Sequence, residues 1–134
     1  MDLKPELVFV PVSDVDAAMD FYVNKVGFNA DHDHRVSDTL RFVQLTPPGS
    51  ACSIAIGEGL SDAPPGTAPN LQLVVSDINE AHRHLKENGV DVSDVEILDW
   101  GHFVYFADPD GNQWAVQYMP YRDAGQQPAI SCRP

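Results

Sequence analysis

Two histidines two residues apart, His32 and His34 in the run Asp31-His32-Asp33-His34, give this 134-residue sequence its best spacing for a metal-binding pair. In a strand, residues i and i+2 share a face, so both imidazoles would point one way and Asp31 and Asp33 the other. The competing reading is an exposed polar hairpin edge, where charged side chains guard unpaired backbone groups. His82 and His84 are also two apart, but in a helical pattern they lie about 200° round the axis and cannot chelate together. His102, near Trp100 at the start of a strand-like run, suits a general base, a hydrogen bond to a ligand, or a rim position with no special task. Cys52 lies in an apolar run and reads as small buried filler. Cys132 is far from it, so there is neither a CxxC pair nor a disulfide framework. No phosphate loop, nucleophile elbow or dinucleotide fingerprint is present.

What the strands offer instead is aromatic surface. Phe9, Phe42, Trp100, Phe103, Tyr105 and Trp114 all fall on or near strand-like runs. Alternation sends neighbours to opposite faces, so about half should point at the helices and half into a groove where a ligand can be met.

The elements that position these residues come as a repeat. The segment VPVSDVDAAMDFYVNKVGF, residues 10 to 28, matches LVVSDINEAHRHLKENGV, residues 73 to 90. Asp14 pairs with Asp77 at an offset of 63, while Gly27 with Gly89 and Gly49 with Gly111 pair at 62. Each copy opens with a β-rich run, ELVFVPV or NLQLVVS. Ser13 or Ser76, with the Asp beside it, then supplies an N-cap for a helix of about three turns. Val15, Ala18, Met19 and Tyr22 recur at helical spacing in the first copy, and Ile78, Ala81 and Leu85 in the second. Gly27 and Gly89 stop the helices. Three strand candidates follow in each copy: FNADHD, TLRFVQLT and CSIAIG, then VSDVEIL, HFVYFA and QWAVQYM. The unit is βαβββ, present twice, and the fold class is α+β with curved mixed sheets around a groove. The length suits a single domain, residues 1–134. Module one covers about 5–58, a Gly/Pro-rich linker about 59–68, module two about 69–120, and a loose tail 121–134.

Composition narrows the partners. The chain has 20 acidic and 8 basic residues and a formal charge of −12, which argues against nucleic acid or an anionic membrane, since phosphate contacts need clustered Lys and Arg. The start, MDLKPELVFVPV, lacks the apolar core of a secretory signal, and no apolar run reaches the length of a membrane span. A cytoplasmic protein is expected.

The paired βαβββ units, with VSDVDAAMDFYVNKVGF and the closing FADPDGNQWAVQ, resemble the vicinal oxygen chelate superfamily, the group of glyoxalases, bleomycin resistance proteins and extradiol dioxygenases. The resemblance spans roughly residues 5 to 120. It implies a groove holding either a metal ion or a sequestered drug, and a homodimer whose modules pair within a chain or are swapped between chains. In metal-using members one donor comes from the first and one from the last strand of each unit. Counted from the landmarks, those places are Leu7 and Asn70, seven residues before Asp14 and Asp77, and Ser53 and Ala115, four after Gly49 and Gly111. Leucine and alanine carry no donor atom, and hydroxyl and amide oxygens are weak ligands, so no metal and no cofactor is expected. A slip of register would bring in Glu6, Gln72 or Gln117, still without a His–Glu set.

Strand parity then fills in the groove. Phe9 follows Leu7, Ala55 follows Ser53, Gln72 follows Asn70 and Gln117 follows Ala115, while Trp114 turns to the helix side. Phe9 and Trp100 would stack on the ligand, Asn70, Gln72 and Gln117 would orient its polar groups, and His102 would hydrogen-bond it or stand at the rim. The resulting expectation is a non-catalytic protein that sequesters a hydrophobic or aromatic small molecule, with no catalytic residues, and the acidic charge favouring cationic drugs. The ligand-binding set is Leu7, Phe9, Ser53, Ala55, Asn70, Gln72, Trp100, His102, Ala115 and Gln117. The alternatives are a glyoxalase-like lyase, isomerase or dioxygenase with a metal recruited by His32, His34 or His102, and a structural dimer with a closed groove.

Overall fold

The computed structural model describes residues 1–120, so the expected tail 121–134 lies outside the described residues. The order of elements is β1 (Leu7–Phe9), α1 (Val15–Met19), β2 (Asn29–Arg35), β3 (Arg41–Thr46), β4 (Ser53–Glu58), β5 (Leu71–Val75), α2 (Ile78–Glu87), β6 (Glu96–Leu98), β7 (Gly101–Ala107) and β8 (Gln113–Tyr118). Two four-stranded sheets result, ordered β1-β4-β3-β2 and β5-β8-β7-β6. In each, the first strand pairs parallel to the last, and the remaining pairs are antiparallel. The sheets stay separate within the chain rather than joining into one of eight strands.

The helices begin where carboxylates meet free backbone N–H groups. Asp14 accepts from the Ala17 N–H at 3.1 Å, and Asp77 from Asn79 and Glu80 at 3.0 and 3.1 Å. The aspartates are therefore the caps, not the serines beside them. Ser13 is drawn away by Asp110, which accepts from its backbone N–H at 3.1 Å and its hydroxyl at 2.6 Å. α1 continues into a seven-residue π-helical stretch, Asp20–Val26, that ends at Gly27 with φ +107°. The wider turn lets the adjacent Phe21 and Tyr22 both point inward.

One core joins both modules. Val43, Leu45, Ile54 and Ile56 of the first sheet share it with Val104, Phe106, Trp114 and Val116 of the second, with α1, its π-helical continuation and α2 between them. Trp114 is buried here, on the helix side, as its parity required. Its indole N–H donates to the Tyr22 hydroxyl at 3.0 Å, and the hydroxyl donates to Asp108 at 2.7 Å. His84, exposed on its helix, places Nε2 2.9 Å from the Val26 carbonyl of the other module. Among the described residues no helix is long and apolar enough to cross a membrane.

Candidate functional site

Because the helix-facing sides of both sheets meet in a common core, their opposite sides point away from it and from each other. Pairing fixes which residues occupy these outer faces. On the first sheet, Leu7 lies beside Ser53, and Phe9 beside Ala55, which in turn pairs with Gln44. His34 pairs with Phe42 and His32 with Gln44, so both histidines share this face. On the second sheet, Gln72 and Tyr105 flank Ala115, and Val74 and Phe103 flank Gln117. Asn70, exposed just ahead of β5, has the parity of Gln72. The places counted from the landmarks thus divide into two pairs, one on each sheet, and do not meet within one chain.

His102 takes the other course. It pairs with Tyr118, next to Gln117 and so on the helix-facing parity, and its ring packs edge-on to Tyr118 at 5.4 Å. Trp100 is 58% exposed in the turn before β7, and its carbonyl accepts from the Gln117 amide at 2.9 Å. Gly101 permits that reach. Its φ of +150° is one that residues with a Cβ rarely adopt, and a Cβ there would lie 2.8 Å from the Gln117 amide nitrogen.

The outer faces are apolar where they are most open. Phe9 is 49%, Val74 50% and Tyr105 37% exposed. Phe103 and Tyr105 stack in parallel, 5.9 Å between centroids. The Tyr105 hydroxyl donates to Glu96 at 3.1 Å, and partial burial followed by that carboxylate holds its pKa above the ordinary phenol value. A shallow cavity of about 50 Å³ adjoins Phe9 and Ala55 beside the linker. A larger one of about 160 Å³, between Phe28, Pro47, Leu73, Leu85 and Phe106, lies on the helix side at the seam of the modules.

Sequence parity missed a polar cluster on the first outer face. The pairing of β2 shifts between Ala30 and His32, a bulge, and it returns Asp31 to the side of the histidines. The Asp31 carboxylate there accepts a hydrogen bond from Thr46. Thr46 and the buried Ser53 hydroxyl are 2.6 Å apart, and Gln44 donates to Ser53 at 3.3 Å. Asp33, by contrast, faces the helices and binds Arg41 through two hydrogen bonds of 2.9 and 2.8 Å. Arg41 holds the Asp33 pKa below the usual carboxylate value. Among the described residues, no three His, Cys, Asp or Glu side chains are grouped to hold a metal ion.

Comparison with known proteins agrees with this architecture. The sequence profile of the Glyoxalase/Bleomycin resistance protein/Dioxygenase superfamily matches residues 5–116. The antibiotic binding protein TnmS3 from Streptomyces sp. CB03234 is 33% identical and superposes with a TM-score of 0.80, covering 88% of this chain and 97% of that one. A glyoxalase/bleomycin resistance protein/dioxygenase superfamily member from Sphaerobacter thermophilus DSM 20745 is 32% identical, with a TM-score of 0.76 over 87% of this chain and 98% of that one. The uncharacterized protein YetH of Bacillus subtilis (strain 168) is 28% identical over 112 residues, 82% of this chain and 93% of its own.

Proposed function

This chain belongs to the glyoxalase/bleomycin resistance protein/dioxygenase superfamily, and from that membership we propose that it is a cytoplasmic, resistance-type binding protein that sequesters a hydrophobic or aromatic small molecule and makes no bond to it. The carrying observation is the outer faces themselves: exposed Phe9 stands beside Ala55 on one sheet, and on the other exposed Tyr105 stands beside Ala115 with exposed Val74 one pair further along. Open apolar surface beside small residues suits a flat ligand held by burial and ring stacking. TnmS3, described as an antibiotic binding protein, supports an antibiotic as the ligand.

The metal chemistry of other superfamily members does not fit the donor set here. Leu7 and Ala115 have no donor atoms, the Ser53 hydroxyl is engaged by Thr46 and Gln44, and the Asn70 amide is a weak ligand. Three good protein donors, which a catalytic divalent ion calls for, are not available at these places. No step is therefore assigned to a metal.

Since the two faces of one chain look away from each other, we place the ligand between the first sheet of one copy and the second sheet of another, in a homodimer. Leu7, Phe9, Ser53 and Ala55 then form one wall, and Asn70, Gln72, Ala115 and Gln117 the other, with Trp100 at the rim. His102 would act only through its neighbours, because its ring is on the far side of β7. Titration of the full chain with a panel of aromatic antibiotics, read by Trp fluorescence and by melting temperature, tests this. Saturable quenching with a concentration-dependent rise in Tm is the expected result. No response to any compound at saturating concentration overturns it.

A further inference from the structure

The hydrogen bonds of the two outer faces have directions, and the directions select the ligand. A carboxylate only accepts, so the Thr46 proton goes to Asp31. With that proton committed, the 2.6 Å contact requires Ser53 to donate to Thr46. The Ser53 proton is then spent as well, which leaves the Gln44 amide to donate to Ser53. The chain runs Gln44 to Ser53 to Thr46 to Asp31. Its open ends are the Gln44 carbonyl oxygen and the second carboxylate oxygen of Asp31.

The second sheet repeats the logic. A backbone carbonyl only accepts, so the Gln117 amide nitrogen faces Trp100, which turns its side-chain oxygen toward Gln72. Gln72 must donate there, and its own oxygen is left outward. Tyr105 likewise gives its proton to Glu96. All three hydroxyls on these faces are thus spent as donors. What remains to donate among the described residues of these faces is side-chain amide N–H, on Asn29, Gln44, Asn70, Gln72, Gln113 and Gln117, and the rings of His32 and His34, whereas Asp31 and Glu96 bring carboxylates that only accept. No Lys or Arg of β1–β8 lies on either outer face: Arg35 and Arg41 take the parity of Val43, toward the helices.

We infer that the ligand of this groove is an aromatic molecule whose rim carries hydrogen-bond donors, hydroxyl or amine, and no acid group. Asp31 and Gln44 receive those donors on one wall, Gln72 and Glu96 on the other. The inference rests on the outer faces being the binding surface, and it adds a chemical class to the proposed sequestration.

Four naphthalenes of one shape separate the two ideas: the 2,6-diol, the 2,6-diamine, the 2,6-dicarboxylate and 2,6-dimethylnaphthalene. Equilibrium titration of the full chain should give diol and diamine at least about tenfold tighter than the dicarboxylate, as expected when a hydrogen bond to a charged acceptor is replaced by repulsion. Asp31→Asn keeps an oxygen for Thr46 but turns an N–H toward the ligand, so it should erase most of that preference. If all four bind alike and Asp31→Asn changes nothing, the donor rule is overturned and the groove stands. If none binds, the binding surface itself is wrong, and both ideas fall.

Discussion

The Tyr22 hydroxyl donates a 2.7 Å hydrogen bond to the Asp108 carboxylate across the seam between the modules. Tyr22 is fully buried, and Asp108 also accepts from the backbone N–H groups of Asp110 and Asn112 and from the Asn112 side chain. Tyr22→Phe removes one donor from a buried carboxylate and should cost about 1–3 kcal/mol. Urea unfolding should show a lower midpoint at unchanged slope.

The same pair sets an alkaline limit. Burial, then the nearby Asp108 charge, raises the Tyr22 pKa above its ordinary 10.0. With the folded value above the unfolded one, the stabilisation is complete below pH 10 and declines as pH rises past it, because the unfolded chain then sheds a proton the folded chain keeps. Stability measured from pH 8 to 11 should fall more steeply in the native protein than in Tyr22→Phe. Equal slopes would contradict the assignment.

Arg41 grips Asp33 with Nε and one terminal nitrogen while another reaches Asp16 at 3.1 Å. Lysine cannot reproduce that fork, so Arg41→Lys should lower stability by about 1 kcal/mol, the pair being partly solvated. Asp33 has a depressed folded pKa, so its contribution is present above the ordinary carboxylate pKa and is lost as pH falls through the folded value. The acid limb of a thermal-stability profile should be shallower in Arg41→Lys.

Gly101→Ala adds a Cβ 2.7 Å from the Tyr118 carbonyl and within 3.1 Å of two Gln117 atoms. Gln117 must then leave the Trp100 carbonyl. The expected signature is a shift in Trp100 emission together with a stability loss of about 1–3 kcal/mol. An unchanged spectrum would show that the contact does not hold the turn.

Mixing two disabled variants tests the shared groove. Phe9→Asp spoils the first wall and Tyr105→Asp the second, so neither homodimer should bind. A mixed dimer contains one groove with both walls native and one with both spoiled. Random reassortment should therefore restore about a quarter of the sites. Grooves built within a single chain would show no recovery in the titration.

The repeat made much of this architecture legible. Matching aspartates and glycines located both helices, and strand parity correctly buried Trp114, because each rests on short-range geometry. Asp31 escaped the same reasoning: a bulge breaks alternation, and nothing in Ala30-Asp31-His32 announces one. His102 escaped it too, since its face depends on the register of β7 against β8, a long-range choice that alternation along one strand cannot supply. Ser13 reads as a cap in the sequence, but its hydroxyl donates to a carboxylate 97 residues away and Asp14 accepts the helix N–H instead.

The turn after β7 binds the first module at three points: Asp108 to Tyr22, Asp110 to Ser13, and Asn112 to the Pro11 carbonyl. Three clasps within five residues leave the halves of a chain little freedom to hinge. If the ligand is held between two copies, as proposed, such a cleft would tighten on its guest by one rigid body sliding over the other, and the rate of capture would answer to whatever governs that sliding.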